Sequence, residues 1–237
     1  MYSFNKCQCP ECTKPAITLY DADGNIMEDQ NYCLDHSPDK EFVADNLHRY
    51  LQSHDRIIGM NAEGLKIENW NISGKRFYGC NLQHCTFSNV HGDNIRLRMC
   101  MLDFSVFTDC SFLHGNTQFC SFAGSKFVHV LFTNSDMIHN NFNGITAYQC
   151  SFDDSDLYNS RFIKAMLINT SMNNCNLKKT VFYESMREGV GFKLSNTRES
   201  LLDRNKGGLM GDFGIQYQDM DDVLMPRNED DQKEVFL

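Results

Sequence analysis

Four side chains near the N-terminus, Cys9, Cys12, Cys33 and His36, can close a tetrahedral shell around a divalent ion. Cys9-Pro10-Glu11-Cys12 is one pair and Cys33-Leu34-Asp35-His36 is another. Two residues between the donors let both leave one tight turn toward a common point, and two such pairs complete four positions. The expected ion is Zn²⁺ in a structural role. A catalytic zinc keeps one position open for water, whereas three thiolates and an imidazole leave none open. Cys7 is a surplus thiol that either replaces one ligand or lies beside the set. Unrelated reduced cysteines would have no reason to fall into two such pairs. His48 and His54 are expected on the solvent side of a helix rather than in the shell.

The elements that must hold these donors follow from the neighbouring residues. Ala16 to Tyr20 and Asn25 to Asp29 read as short strands around the turn dipeptide Asp23-Gly24. Ser37-Pro38 reads as an N-cap followed by Pro at the first helical position. A helix is then expected to about Gln52, burying Phe42, Val43, Leu47, Tyr50 and Leu51. Knuckle, hairpin, second pair and helix together resemble a treble-clef or short zinc-finger arrangement.

From Ile67 onward a different rule takes over. Stepping by five from Ile67 to Leu202, every position is Leu, Ile, Met or Phe except Gly92, Thr117, Ala147, Arg187 and Thr197. Two residues before these centres a small residue recurs, as at Cys80, Cys85, Cys100, Ser105, Cys110, Cys120, Ser135, Ser155 and Cys175. A period of five is neither the 3.6 of a helix nor the 2.0 of a strand, and held without an insertion it marks a solenoid. The phase is already present at Ile57 and Ala62, so the N-terminal module runs directly into the first coil. Solenoid ends need covering, and the helix 38–52 is the candidate N-terminal cap.

Units such as Cys80-Asn81-Leu82, Cys110-Ser111-Phe112, Ser135-Asp136-Met137 and Ser155-Asp156-Leu157 resemble the pentapeptide-repeat family. The resemblance implies four units per square coil, with the centre and the small residue pointing inward. The expected fold is all-β: a right-handed quadrilateral β-helix preceded by a small zinc-binding ββα module. About seven coils at the ~4.8 Å strand spacing make a rod roughly 34 Å long. Residues 20 apart should then stack, and like falls on like: Phe122, Phe142, Phe162 and Phe182 make one column, Phe112, Phe132 and Phe152 another, Phe87, Phe107 and Phe127 a third. The expected organisation is 1–55 for the zinc module, 56–204 for the rod and 205–237 for a C-terminal cap segment and acidic tail.

Composition narrows the function. The 237 residues carry a net charge of −9, which argues against nonspecific nucleic-acid binding. No apolar run of about 18 residues suggests a membrane span, and Met1 to Lys6 lack a signal pattern, so the cytoplasm is expected. Of the eleven cysteines, seven occupy small inward positions of the repeat, where free thiols act as compact fillers in a reducing compartment. After Leu202 the phase is lost. Leu209 to Leu224 is expected to cap the last coil, with disorder after Pro226; the acids concentrate beyond Asp219.

The role expected is a noncatalytic protein–protein interaction scaffold with no small-molecule substrate. His114, His129 and His139 fall on different faces, and Asp153, Asp154 and Asp156 sit on adjacent polar positions, so no nucleophile–base pair is legible. The best-known members of the resembling family act on gyrase as DNA mimics, which is the first alternative. Between residues 65 and 204, however, 14 Lys plus Arg stand against 12 Asp plus Glu, which is not an acidic rod. Nucleic-acid or partner binding through the zinc module is a second alternative, weakened by its few basic residues beyond Lys6 and Lys14. One face of the rod is unusually apolar on its outside, at Val106, Val128, Tyr148, Met166, Ile168 and Met186. Such a stripe marks an interface. It is expected to meet a protein partner, a second copy in a homodimer, or the chain's own segment 209–224.

Overall fold

The structure is a computed structural model that describes residues 4–29 and 31–202. The expected cap segment, the acidic tail and the expected disorder after Pro226 lie outside these residues. Among the described residues, regular structure comprises one helix, α1 (Lys40–Ser53), followed by eleven three-residue strands. These are β1 (Arg56–Ile58), β2 (Lys66–Glu68), β3 (Arg76–Tyr78), β4 (Thr86–Ser88), β5 (Arg96–Arg98), β6 (Val106–Thr108), β7 (Asn116–Gln118), β8 (Lys126–Val128), β9 (Thr146–Tyr148), β10 (Met166–Ile168) and β11 (Met186–Glu188).

Every pairing in the rod is parallel with a step of 20 residues. β1-β3-β5-β7 form one face, continued as single bridges through Asp136, Asp156, Asn176 and Asn196. The seven strands β2-β4-β6-β8-β9-β10-β11 form another. Columns of bridges from Asn61 to Leu201 and from Asn71 to Gly191 form the remaining two. We name the faces by their first centre: Ile57, Ala62, Ile67 and Ile72. The expected quadrilateral β-helix is therefore the architecture.

The five-residue unit explains itself atom by atom. A centre donates upward, as Phe122 N does to Asn141 O (2.8 Å), and the preceding residue of the next coil donates downward, Asn141 N to Cys120 O (3.0 Å). The inward centres stack in register: ring centroids are 5.0 Å apart for Phe122–Phe142, 4.9 Å for Phe142–Phe162 and 5.2 Å for Phe162–Phe182. The small inward position tolerates hydroxyls because they are satisfied. Ser125 Oγ donates to Leu102 O (2.7 Å) and accepts from Ser105 N (3.0 Å). The residue two after each centre turns the corner in the left-handed region, as at Asn69 (φ 59), His114 (φ 55) and Asn159 (φ 54). Asn, Asp, His and Gly are the residues that adopt this conformation most easily, which is why they recur there. The outward His114, His129 and His139 are corner residues.

The N-terminal module departs from the expected strands. Among the described residues it holds only single antiparallel bridges, Lys6–Pro15 and Tyr20–Ile26. The reason is that the donors of 16–18 go to three different neighbours: Ala16 N to Asn5 O, Ile17 N to Tyr32 O and Thr18 N to Asn61 O. The last of these docks the module on the first coil, and Asn61 Nδ2 returns a bond to Ala16 O (2.7 Å). The helix cap also differs. Asp39, not Ser37, caps α1, its carboxylate accepting from Phe42 N (2.8 Å). The Ser37 hydroxyl instead donates to Asp39 O (3.2 Å), so it is not the oxygen that caps the helix. The helix buries Val43, Leu47 and Leu51, while Phe42 is exposed and Tyr50 half-buried. Leu47 and Leu51 belong to one apolar cluster with Ile57, Met60 and Trp70, so α1 covers the open end of the first coil. His48 and His54, expected in solvent, are half-buried against rings: His48 stacks on Trp70 (4.5 Å) and His54 on Tyr50 (4.2 Å).

Candidate metal centre and partner surface

Two like turns build the metal centre. Cys12 N donates to Cys9 O (3.2 Å), and His36 N donates to Cys33 O (3.1 Å). The donors that meet are Cys7, Cys12, Cys33 and His36, whose ligand atoms all lie within 4.8 Å of one another. Cys12 Sγ and Cys33 Sγ are 3.9 Å apart; His36 Nδ1 is 3.3 Å from Cys33 Sγ and 3.5 Å from Cys7 Sγ. A tetrahedron with metal–sulfur bonds of about 2.3 Å and metal–nitrogen bonds of about 2.0 Å has edges of about 3.8 Å and 3.5 Å. The donor set fits such an ion.

The fourth donor is Cys7 where the spacing pointed to Cys9. Cys7 lies beside the Lys6–Pro15 bridge, its N–H held by Lys14 O (3.0 Å), and it is buried. Cys9 opens the turn, and its thiol stands against Cys7 as a neighbour of the set. The two residues are two apart on an extended segment, so both face the centre, and only the turn decides which one reaches it. The bridging segment, legible in the pairing of Lys6 with Pro15, was the missing signal.

Electrostatics separates the thiols. Desolvation pushes Cys7 up, but backbone N–H groups of Cys33 and Cys9, with the His36 and Cys12 side chains, outweigh it and bring it down to about 6. Cys9 is pushed up by desolvation and by the neighbouring Cys7 charge. In the rod, burial pushes Cys150 up to about 11 and Cys175 to about 12. The module therefore offers an ionisable ligand thiol, while Cys150 and Cys175 of the rod stay protonated fillers.

All six expected partner residues lie outward on the Ile67 face. Val128, Tyr148 and Ile168 are successive rungs of one column on β8, β9 and β10. Met166 and Met186 are successive rungs of the parallel column. Tyr148, Met166 and Met186 are 39%, 36% and 50% exposed. Val106 stands apart, with Lys126 and Thr146 between it and Met166. Sequence reading missed a second set of exposed apolar side chains, Met99, Phe104 and Phe119, at corner positions with φ of 52°, 56° and 55°. They are displaced from the centre register, so the five-step pattern does not show them.

Residues 141–178 match the family described as pentapeptide repeats (8 copies). The rod is a pentapeptide-repeat solenoid. No curated protein matches the sequence. Among solved structures, a trypsin-treated variant of QnrB1, a plasmid-mediated fluoroquinolone resistance protein, is 18% identical. The match covers 65% of this chain and 92% of that one, at a TM-score of 0.47. The pentapeptide-repeat protein Rfr23 from the cyanobacterium Cyanothece 51142 is 13% identical over 67% and 98%, at a TM-score of 0.34. A pentapeptide-repeat protein of the Arabidopsis thaliana thylakoid lumen is 18% identical over 47% and 64%, also at 0.34.

Proposed function

We propose that this protein is a noncatalytic interaction scaffold whose rod presents the Ile67 face to a protein partner, with a structural zinc stapling the N-terminal module. The observation that carries the reading is the unbroken outward stack Val128–Tyr148–Ile168 beside Met166–Met186 on a seven-stranded sheet. Isolated exposed apolar residues need no explanation, but neighbouring ones on successive rungs point to an interface. Zinc is the ion that suits three thiolates and one imidazole with tetrahedral spacing. The free thiols of the rod interior suit a reducing compartment, and we place the protein in the cytoplasm. A reading as a DNA mimic has less support, because the rod's charges nearly balance. Nucleic-acid binding by the module is weaker still, since Lys14 is paired with Asp35.

A photo-cross-linking residue at position 148 tests the partner surface against one at Ser88, on the same face but below the stripe. Position 148 should give a heterologous adduct that Tyr148→Asp, Ile168→Asp protein does not compete for. Equal adducts from both positions would remove the Ile67 face from consideration.

A further inference from the structure

The Ile57 face carries a reversal of charge along a single column. The residues just before its centres are, rung by rung, Arg56, Arg76, Arg96, Asn116, Asp136 and Asp156. Arg56, Arg76, Arg96 and Asp136 are exposed, and Asp156 is half-buried. Like charges on adjacent rungs, ~4.8 Å apart, repel. Yet among the described residues none of these three arginines makes an ion pair; Arg56 lies over the Tyr78 ring at 5.5 Å. The acids are likewise only half used. Asp136 Oδ2 accepts from Asn116 Nδ2, and Asp156 Oδ1 accepts from Tyr158 N and Asn176 Nδ2, which leaves the other oxygen of each.

We propose that a second copy of this chain docks antiparallel on the Ile57 face, about a two-fold axis lying in that face at the level of Asn116. Such an axis reverses the rod but keeps each column opposite itself. Arg96 then meets Asp136 of the partner subunit, and Arg76 meets Asp156 of the partner subunit. In the column after the centres Gln118 lies on the axis, Arg98 faces Ile138 of the partner subunit and Tyr78 faces Tyr158 of the partner subunit. The edge of the face supplies an independent observation. Phe119, 59% exposed in a left-handed backbone that phenylalanine rarely adopts, falls on the axis level. Its neighbour on the rung below, Met99, is 62% exposed. Exposed apolar corners therefore lie along one edge of the contact near its mid-height, with complementary charges above and below that level, and the pairing closes on itself as an isologous dimer. A polyanion such as nucleic acid would meet the arginines but be repelled by Asp136 and Asp156 on the same column. The interface is distinct from the partner stripe on the Ile67 face.

Sedimentation velocity of the full-length protein tests this. The wild type should be dimeric at low salt and dissociate as salt rises, because the ion pairs are screened. Arg76→Asp and Asp156→Arg should each weaken the dimer at least tenfold, and an equimolar mixture of the two variants should re-form it, since both cross-pairs are then opposite in charge. Asn116→Cys should give a disulfide-linked dimer under mild oxidation, a readout that does not depend on the charge variants folding. Tyr148→Asp, Ile168→Asp protein should dimerise as the wild type does. A wild type that stays monomeric at low salt up to about 100 μM, the range of a weak interface, overturns the proposal. So does a mixture no more associated than its components, or an Asn116→Cys protein that does not cross-link. Retention of a monomeric wild type on a single-stranded oligonucleotide, lost in Arg76→Asp, would assign the arginines to nucleic acid instead.

Discussion

The rod and the N-terminal module solve the same problem with opposite resources. The rod repeats one contact set, so each coil is held by the coils above and below and no residue is singular. The module has no repeat: its backbone donors scatter among Asn5, Tyr32 and Asn61, and its chain converges on one cluster of three thiols and an imidazole. Stability is spread in the first region and concentrated in the second. A small unit that cannot bury enough apolar surface needs such a staple.

The largest expected effect therefore falls on the module. Cys33→Ser, or chelation of the metal, should unfold residues 4–39 while the rod stays folded. Structural zinc contributes on the order of 10 kcal/mol to such units. Hydrogen exchange by mass spectrometry, with zinc content measured in parallel, separates the regions; protection retained throughout a zinc-free module would reject the staple. Cys7→Ser should lose the metal and Cys9→Ser should keep it. Cys7 is depressed to about 6 in the folded protein, so its thiolate is available above that pH and is protonated as pH falls through it. Protons compete with the metal for the thiolates and the imidazole, so metal retention should fall as pH is lowered.

Next comes the rod interior. Phe142, fully buried between Phe122 and Phe162, should cost about 3–5 kcal/mol on truncation to Ala. Phe142→Asp should cost more, comparable with the net stability of a domain. Thermal melts of both variants, followed by the signal of the rod, would show whether the register is right, because an outward position would tolerate either change. A smaller effect is expected where the two regions meet. Asp39→Ala removes the cap of α1 and should lower stability by about 1 kcal/mol. The smallest has the opposite sign. Leu194 is 74% exposed at φ 64, and Leu194→Gly should relieve strain and raise stability by up to about 1 kcal/mol. An unchanged or lowered melting temperature would mean that Leu194 is held by a contact.

The same contrast decides what could be read from the sequence. The rod was legible because its period is enforced by every inter-coil hydrogen bond, so one misplaced residue cannot hide the rule. Its corners were less legible, since left-handed backbone admits Phe104, Met99 and Lys164 as well as Asn. The ligand pairs of the module were visible as spacing, and Cys12, Cys33 and His36 meet as that spacing implies. The choice between Cys7 and Cys9 was not legible, because it depends on the antiparallel bridge between Lys6 and Pro15. The helix start was misplaced by two residues: Ser37 has the right chemistry for a cap, but its hydroxyl donates to Asp39 O and the Asp39 carboxylate caps instead.

The 20-residue step has a consequence for how such a chain can change. Each residue's compass direction is set by its position modulo twenty. Inserting one extra five-residue unit between Val128 and Asp136 would leave every coil closed and every centre inward, yet would index the entire downstream half by a quarter turn. Asp136 and Asp156 would leave the arginine face, and Tyr148 and Ile168 would swing away from Val128. The molecule behaves as a ratcheted dial, on which a local edit preserves the shaft and re-addresses whole sides at once.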